Sequence, residues 1–159
     1  MSDTERKTTK ITDSDYLLLK YLQKNARATL KLIAAESGYQ SPSGVLERIK
    51  KLEERGFIMG YETVLNKSAL GFKVSVLTHV KIKEHYEAVI YDFENNVRNL
   101  EEVKTFFHVT GEYDYILLVT CADIESYHKF IVEKLSKIPN IMTVHSSFIL
   151  KEVECNTLL

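Results

Sequence analysis

A chain of 159 residues has room for one medium domain or two small ones, and with 45% hydrophobic and 27% charged residues it has the make-up of an ordinary soluble globular protein. A formal net charge of −1 excludes a generic polyanion binder that works through bulk charge. No apolar run approaches the roughly 18–20 residues that cross a bilayer, so no membrane partner is expected.

The N-terminal stretch MSDTERKTTK has no apolar core and is not a secretory signal; residues 1–10 read as a flexible polar arm. Cys121 and Cys155 lie far apart, with no CxxC and no metal-like spacing, which reads as free thiols in a reducing, cytoplasmic compartment. Charge is weakly asymmetric. Residues 1–66 hold 11 Lys/Arg against 9 Asp/Glu, and residues 67–159 hold 10 against 13, so local placement has to carry any argument about partners.

Residues 11–66 read as a winged helix-turn-helix. Thr12, with Asp15 three residues on, opens a helix in a capping-box pattern, and Leu17, Leu18, Tyr21 and Leu22 fall on one side before it ends near Asn25. A second helix starts at Thr29, buries Leu30, Ile33 and Ala34, and stops at Gly38, the residue type that closes a helix left-handed. Ser41-Pro42 then supplies a Ser cap and a Pro at the first helical position. The third helix runs to about Arg55, with Val45, Ile49 and Leu52 as its buried stripe. Gly56 ends it, and Phe57–Leu65 reads as two short strands about Gly60.

An α-helix enters the major groove only if its leading end is slim enough to reach base edges, and Ser43-Gly44 keeps this one slim. Ser41, Ser43, Gly44, Glu47, Arg48, Lys50, Lys51 and Arg55 are the candidate DNA-contacting set. A capped amphipathic helix with outward basic residues is ordinarily just a solvated surface. Three helices in this order, with the Gly turn and a β-prone segment behind them, favour double-stranded DNA as partner.

Residues 67–73 read as a connector, and residues 74–153 alternate strand and helix patterns. Val74–Lys83 has period two, with Val74, Val76, Val80 and Ile82 on one face and Ser75, Leu77, His79 and Lys81 on the other. Glu84–Leu100 is helical, with a stripe of Tyr86, Val89, Ile90, Phe93 and Val97. Strands follow at Val103–Thr110 and Tyr113–Cys121, then a helix at Asp123–Ile138 that buries Ile124, Tyr127, Ile131 and Leu135. Pro139-Asn140 breaks it before a last strand at Met142–Lys151, and residues 154–159 form a tail. The order βαββαβ predicts an α+β, ferredoxin-like domain with both helices on one sheet face. The other face then carries Leu77, Phe106, Ile116, Leu118 and Ile149, which points to homodimerisation.

Three blocks now stand in order: ITDSDYLLLKYLQKNARATLKLIAAESG, SPSGVLERIKKLEERGFIMGYETVLN and FHVTGEYDYILLV. Together they resemble the Lrp/AsnC, or feast/famine, transcription regulators from about Ile11 to Val153. The resemblance implies a regulator that binds palindromic sites as a dimer, tetramer, octamer or larger disc, with an amino-acid effector between dimers. It places the effector loop at Val109–Asp114. There Thr110, Gly111 and Asp114, with Ser147 and Ile149 from the last strand, form the candidate pocket. Gly111 lets a carboxylate approach backbone N–H groups, and Asp114 offers a partner to an α-ammonium. A Gly–x–x–Asp turn also serves as a plain hairpin. One departure stands out: many relatives carry a basic pair where this chain has Glu47-Arg48, so the DNA sequence read is expected to be its own.

His79, His108 and His145 fall on three strands, by alternation on the uncovered face, where imidazoles could bind zinc or titrate. No Cys or carboxylate completes a set, so the expectation is interface histidines with no metal and no cofactor. The rival class is an enzyme resembling the sirohaem decarboxylases, which share the two-domain plan. Their His-Cys-Tyr run is absent here, as are a nucleophile–base pair and a phosphate loop. A metabolite-binding module without DNA binding is the second alternative.

Overall fold

Thr12 opens the first helix as its pattern requires. Its hydroxyl accepts the Asp15 N–H at 3.2 Å while the Asp15 carboxylate accepts the Thr12 N–H at 2.9 Å, a reciprocal cap on α1 (Asp13–Lys24). Helix α2 (Leu30–Ser37) is capped by Thr29 and closed by Gly38 at φ 75°. Helix α3 (Pro42–Glu54) starts with Pro42 in its first turn and the Ser41 Oγ accepting the Gly44 N–H at 3.2 Å. The computed structural model describes residues 11–153, so the expected arm, the tail and Cys155 lie outside the described residues.

Leu18, Leu22, Ile33, Ala34, Val45, Ile49 and Leu52 form the core of the three helices. Leu17, expected inside, is half exposed, and Tyr21 is only partly covered. The two strands expected about Gly60 do not form: residues 57–65 carry no strand. The Phe57 and Ile58 N–H groups both turn back to the Leu52 carbonyl, at 2.9 and 3.3 Å, and the Arg55 guanidinium lies 4.9 Å above the Phe57 ring. Those groups close α3. From Met59 to Leu65 every residue is exposed, so no buried face favours a ladder.

The chain divides into two compact units at Val64 and Leu65, and the second runs to Val153. It contains β1 (Val74–Ile82), α4 (Glu87–Arg98), β2 (Val103–His108), β3 (Tyr115–Cys121), α5 (Ile124–Lys129) and β4 (Ile141–Phe148). The sheet order is β2-β3-β1-β4, every neighbour antiparallel. Val76, Val80, Leu117 and Val119 meet Phe93 and Val97 of α4, and Tyr127 of α5, in one core, so both helices lie on one sheet face. The buried Thr78 hydroxyl in that core is paired. The Thr78 Oγ1 and Ser146 Oγ lie 2.9 and 2.6 Å from the Tyr127 hydroxyl, which ties α5 to the central strand β1 and the edge strand β4.

Several boundaries differ from expectation: β2 ends at His108 rather than Thr110 and β3 starts at Tyr115 rather than Tyr113, among others. Helix α4 begins at Glu87 rather than Glu84, because the Asn140 side chain holds both backbone groups of Glu84, at 3.1 and 2.9 Å; Tyr86 stays exposed. The expected helix Asp123–Ile138 breaks after Lys129 into a wide turn at Phe130–Lys134 and a tight one at Leu135–Lys137. The wide turn lets Phe130 and Leu135 both reach the core, a spacing that regular α-helix would not allow, and leaves Ile124 outside. The last strand ends at Phe148, not Lys151.

Sheet register also corrects the uncovered face. A bulge between Val103 and Thr105 sets Phe106 opposite Leu117, so Phe106 packs on the covered core and Phe107 takes its expected place outside. The same shift sets His108 opposite Tyr115 on the covered side, where the two rings stack at 4.5 Å.

Candidate DNA interface and effector loop

Helix α3 meets its own unit through Val45, Ile49 and Leu52, and this leaves Ser43, Leu46, Glu47, Lys50 and Lys51 exposed. Its leading end is slim, as the sequence requires: the Ser41 and Ser43 hydroxyls lie 3.1 Å apart beside Gly44. A Cβ on Gly44 would come within 3.3 Å of the Ser41 Oγ, so even alanine would press on the cap. Lys51 is tied to Glu47 one turn back at 2.6 Å, and the Lys51 hydrogen bond holds the Glu47 carboxyl below the usual carboxylate range. Arg55 caps the far end above Phe57.

Arg48 stands apart from the rest of the set. Its Nε and Nη2 donate to the two oxygens of Asp15, a fully buried carboxylate on α1. The Tyr39 hydroxyl adds a third donor at 3.0 Å, and Thr12 gives its N–H and hydroxyl at 2.9 and 2.7 Å. Every lone pair that a carboxylate can offer has a partner. The Arg48 guanidinium therefore holds the Asp15 carboxyl far below its ordinary value, against burial, which pushes the other way. This pair fixes α3 to α1, so Arg48 positions the recognition helix instead of extending towards solvent. The sequence offered one signal for it: Asp15, acidic on the inward side of its helix, needs a buried cation.

The second candidate region is the β2–β3 connection, residues 109–114, closed at its neck by the Val109 N–H on the Asp114 carbonyl at 2.8 Å. Gly111 sits at φ 128°, a conformation only glycine adopts easily, and nothing lies within 4 Å of where a Cβ would be. Its backbone is therefore open to approach. Asp114 is not a free carboxylate: Oδ2 accepts the Ile82 N–H at 2.8 Å and Oδ1 lies 2.9 Å from His85 Nε2. Burial pushes its carboxyl up, but the Ile82 N–H and His85 outweigh it and its pKa lies below the ordinary value. We expect Asp114→Ala to cost about 1–3 kcal/mol of stability by stranding the half-buried Ile82 N–H, a loss that denaturant unfolding of the second unit would measure. An unchanged midpoint would mean that the Ile82 N–H finds water instead.

Ile149 does not join this loop within one protomer, and Ser147 reaches it only through His79. Asp114 donates its N–H to Val80, whereas Ser147 stands opposite Leu77, and Ile149 donates to the Ser75 carbonyl at 2.9 Å. Five residues of β1 separate Val80 from Ser75, about 17 Å at strand spacing. The groups beside the loop are others: the Tyr113 ring lies 5.2 Å from His79 and 6.2 Å from His145, and those imidazoles face each other across β1 and β4 at 5.9 Å. Ser147 Oγ closes the row, 3.4 Å from His79 Nε2. No group of three or more metal-ligating side chains gathers among the described residues. Among them, no helix is long and apolar enough to cross a membrane. Alternation along the first strand identified His79; Tyr113 was legible as a residue of the effector loop and of the following strand, but not as a ring set against His79.

Comparison with known proteins agrees with this geometry. Residues 11–59 match the family model described as winged helix-turn-helix DNA-binding, and residues 75–159 match that of the Lrp/AsnC ligand binding domain. The leucine-responsive regulatory protein of Klebsiella pneumoniae is 30% identical over 155 residues, which cover 97% of this chain and 94% of that protein. Among solved structures, a transcriptional regulator from Neisseria meningitidis in complex with L-methionine superposes with a TM-score of 0.88 at 29% identity, covering 94% of this chain and 96% of its own. A feast or famine regulatory protein from M. tuberculosis, complexed with L-methionine, superposes at 0.80 with 27% identity over 92% of this chain and 97% of that one. The capped, slim α3, the four-stranded sheet with one uncovered face, and both family matches in their proper order have one explanation: the chain belongs to the Lrp/AsnC family of DNA-binding transcription regulators.

Proposed function

We propose that this protein is a cytoplasmic, sequence-specific transcription regulator, not an enzyme, that binds palindromic DNA as a homodimer or a tetramer or octamer built from dimers. The observation that carries the reading is α3, whose capped leading end and outer side are exposed while its inner side is locked to α1 through Arg48. Ser41, Ser43, Gly44 and Glu47 lie at the end that would meet base edges, and Lys50, Lys51 and Arg55 follow towards phosphates. Arg48 serves this interface from behind. Leu77 and Leu118, directly paired across β1 and β3 on the uncovered face, with Ile116 and Phe107, supply the apolar patch for a second copy.

An amino acid is the effector this reading assigns, in keeping with two structural neighbours solved with methionine. Its carboxylate would approach the open backbone at Gly111 and the Thr110 hydroxyl. Its ammonium would displace the exposed His85 from Asp114. Ser147 would contribute through His79, and Ile149 only from a neighbouring protomer. Mapping bound genomic fragments with and without a pool of the twenty amino acids tests the whole reading: discrete palindromic sites whose occupancy changes with the pool are expected. An absence of enriched fragments at low salt would favour a metabolite-binding module without DNA binding.

The charge placement gives a sharper test. Phosphate contacts release counterions, so affinity falls with salt at a slope of about 0.9 per contact. We expect Lys50→Ala to flatten that slope by about one unit, and Glu47→Gln, which frees Lys51, to steepen it by about one. Fluorescence anisotropy across a salt series measures both. Slopes identical to the parent's in both variants would remove α3 from the phosphate backbone.

A further inference from the structure

Helix α3 turns Ser43, Leu46, Glu47 and Lys50 outward, and all four are exposed. Residues three, four and seven positions apart line one side of a helix, so these four form a single face. That face is turned away from the buried stripe of Val45, Ile49 and Leu52. Leu46 is its only apolar member. It is 42% exposed, and it belongs neither to the core of the three helices nor to the apolar side chains packed around that core. A lone exposed leucine is ordinary on a protein surface. This one stands in the second turn of the helix whose slim end is offered to DNA.

The polar neighbours on that face show how it meets a duplex. The Ser43 hydroxyl lies 3.1 Å from that of Ser41, and the Glu47 carboxylate takes the Lys51 ammonium at 2.6 Å. Phosphates repel a carboxylate, whereas the N4 amino group of cytosine can donate to one. A helix that carries Glu47 in the middle of its outer face therefore sets that residue over base edges. Lys50 and Lys51 are then left to the backbone on either side. Leu46 is adjacent to Glu47, about 1.5 Å from it along the helix axis, so its methyl groups come to the same floor of the groove.

Among the groups that base pairs display in the major groove, the C5-methyl of thymine is the one apolar substituent. Adenine and guanine present polar atoms there, which a leucine would cover without pairing. Cytosine lacks the methyl group. We infer that Leu46 is a specificity-determining residue, which packs on the C5-methyl of a thymine and makes this helix select thymine at that position. This role rests on the DNA-binding reading above and names one base that α3 selects. Burial of a single methyl group changes affinity by about fourfold, so the contact tunes specificity while the lysines supply attraction.

The test uses the full chain and a random duplex library, from which the parent and Leu46→Ala each select bound sequences. We expect the two sets to agree except at one position per recognition helix, where the parent enriches thymine and Leu46→Ala does not. Deoxyuridine then replaces each thymine in turn in the duplex that the parent binds best. It keeps every hydrogen-bonding atom and removes only the methyl group. At one position the parent should bind about fourfold more weakly per contact. Leu46→Ala and Leu46→Gln should bind the two duplexes alike, and Leu46→Met, which keeps an apolar reach, should still discriminate. Lys50→Ala should weaken both duplexes by the same factor. The proposal is overturned if no deoxyuridine weakens the parent, or if Leu46→Ala and Leu46→Gln, folded by circular dichroism, discriminate as the parent does. A parent that enriches no sequence at all would overturn the DNA-binding reading and this role with it.

Discussion

Arg48→Ala should destabilise the helix-turn-helix by about 3–5 kcal/mol, because it removes the counter-charge from a fully buried Asp15 and leaves an uncompensated carboxylate inside the core. Urea unfolding followed by hydrogen exchange in residues 13–54 reads the loss. DNA affinity falls in parallel, since α3 is no longer fixed to α1. A variant that unfolds like the parent yet loses DNA binding would instead make Arg48 a direct contact. The double variant Asp15→Leu with Arg48→Met tests the same point from the other side, and should recover much of the lost stability because no buried charge is left. The pair also gives an acid signature. The folded-state pKa of Asp15 is depressed, so its contribution is fully present above about pH 4, the ordinary carboxylate value, and drains away as pH falls below it. Without Arg48 the largest cause of that depression is gone, and the acid dependence should be visibly shallower.

Leu118→Lys should have the largest effect on function. Leu118 stands opposite Leu77 in the middle of the uncovered sheet face, and a charge there would be desolvated against its own copy in a two-fold interface. We expect a folded monomer by light scattering. Affinity for a palindromic site should fall about 100-fold or more, since linking two recognition helices multiplies a modest half-site affinity by that order. A dimer that survives the substitution would move the partner surface to another part of the molecule. Loss of DNA binding without loss of the dimer would point to a folding defect, which far-ultraviolet circular dichroism would show.

The parts of this protein that were legible in its sequence are those where local chemistry leaves one option. Thr12 and Ser41 cap because a hydroxyl just before an apolar-periodic run has an N–H within reach. Gly38 closes α2 at positive φ because side chains are disfavoured there. Period-two alternation along β1 named its buried face correctly, since no bulge interrupts it before Lys81. Alternation failed on β2 for the converse reason: one extra residue near Lys104 shifts every later side chain, which sent Phe106 and His108 to the covered face. The wide turn at Phe130 was equally hidden, because it serves contacts with a sheet that lies elsewhere in the chain.

The candidate sites divide along the same line. The sequence by itself determined the α+β plan, the slim capped end of α3, and the loop at Gly111, all of which rest on neighbours a few residues apart. Only the tertiary structure decided what the charged groups do. Arg48 looks outward on a helical wheel but is drawn in by Asp15, 33 positions away. Asp114 looks available until His85 and the Ile82 N–H are brought to it from 29 and 32 positions away. The physical reason is common to both. Capping and periodicity are short-range, so a few adjacent residues specify them. The partner of a buried charge is set by desolvation, which is felt only once the chain has closed around it.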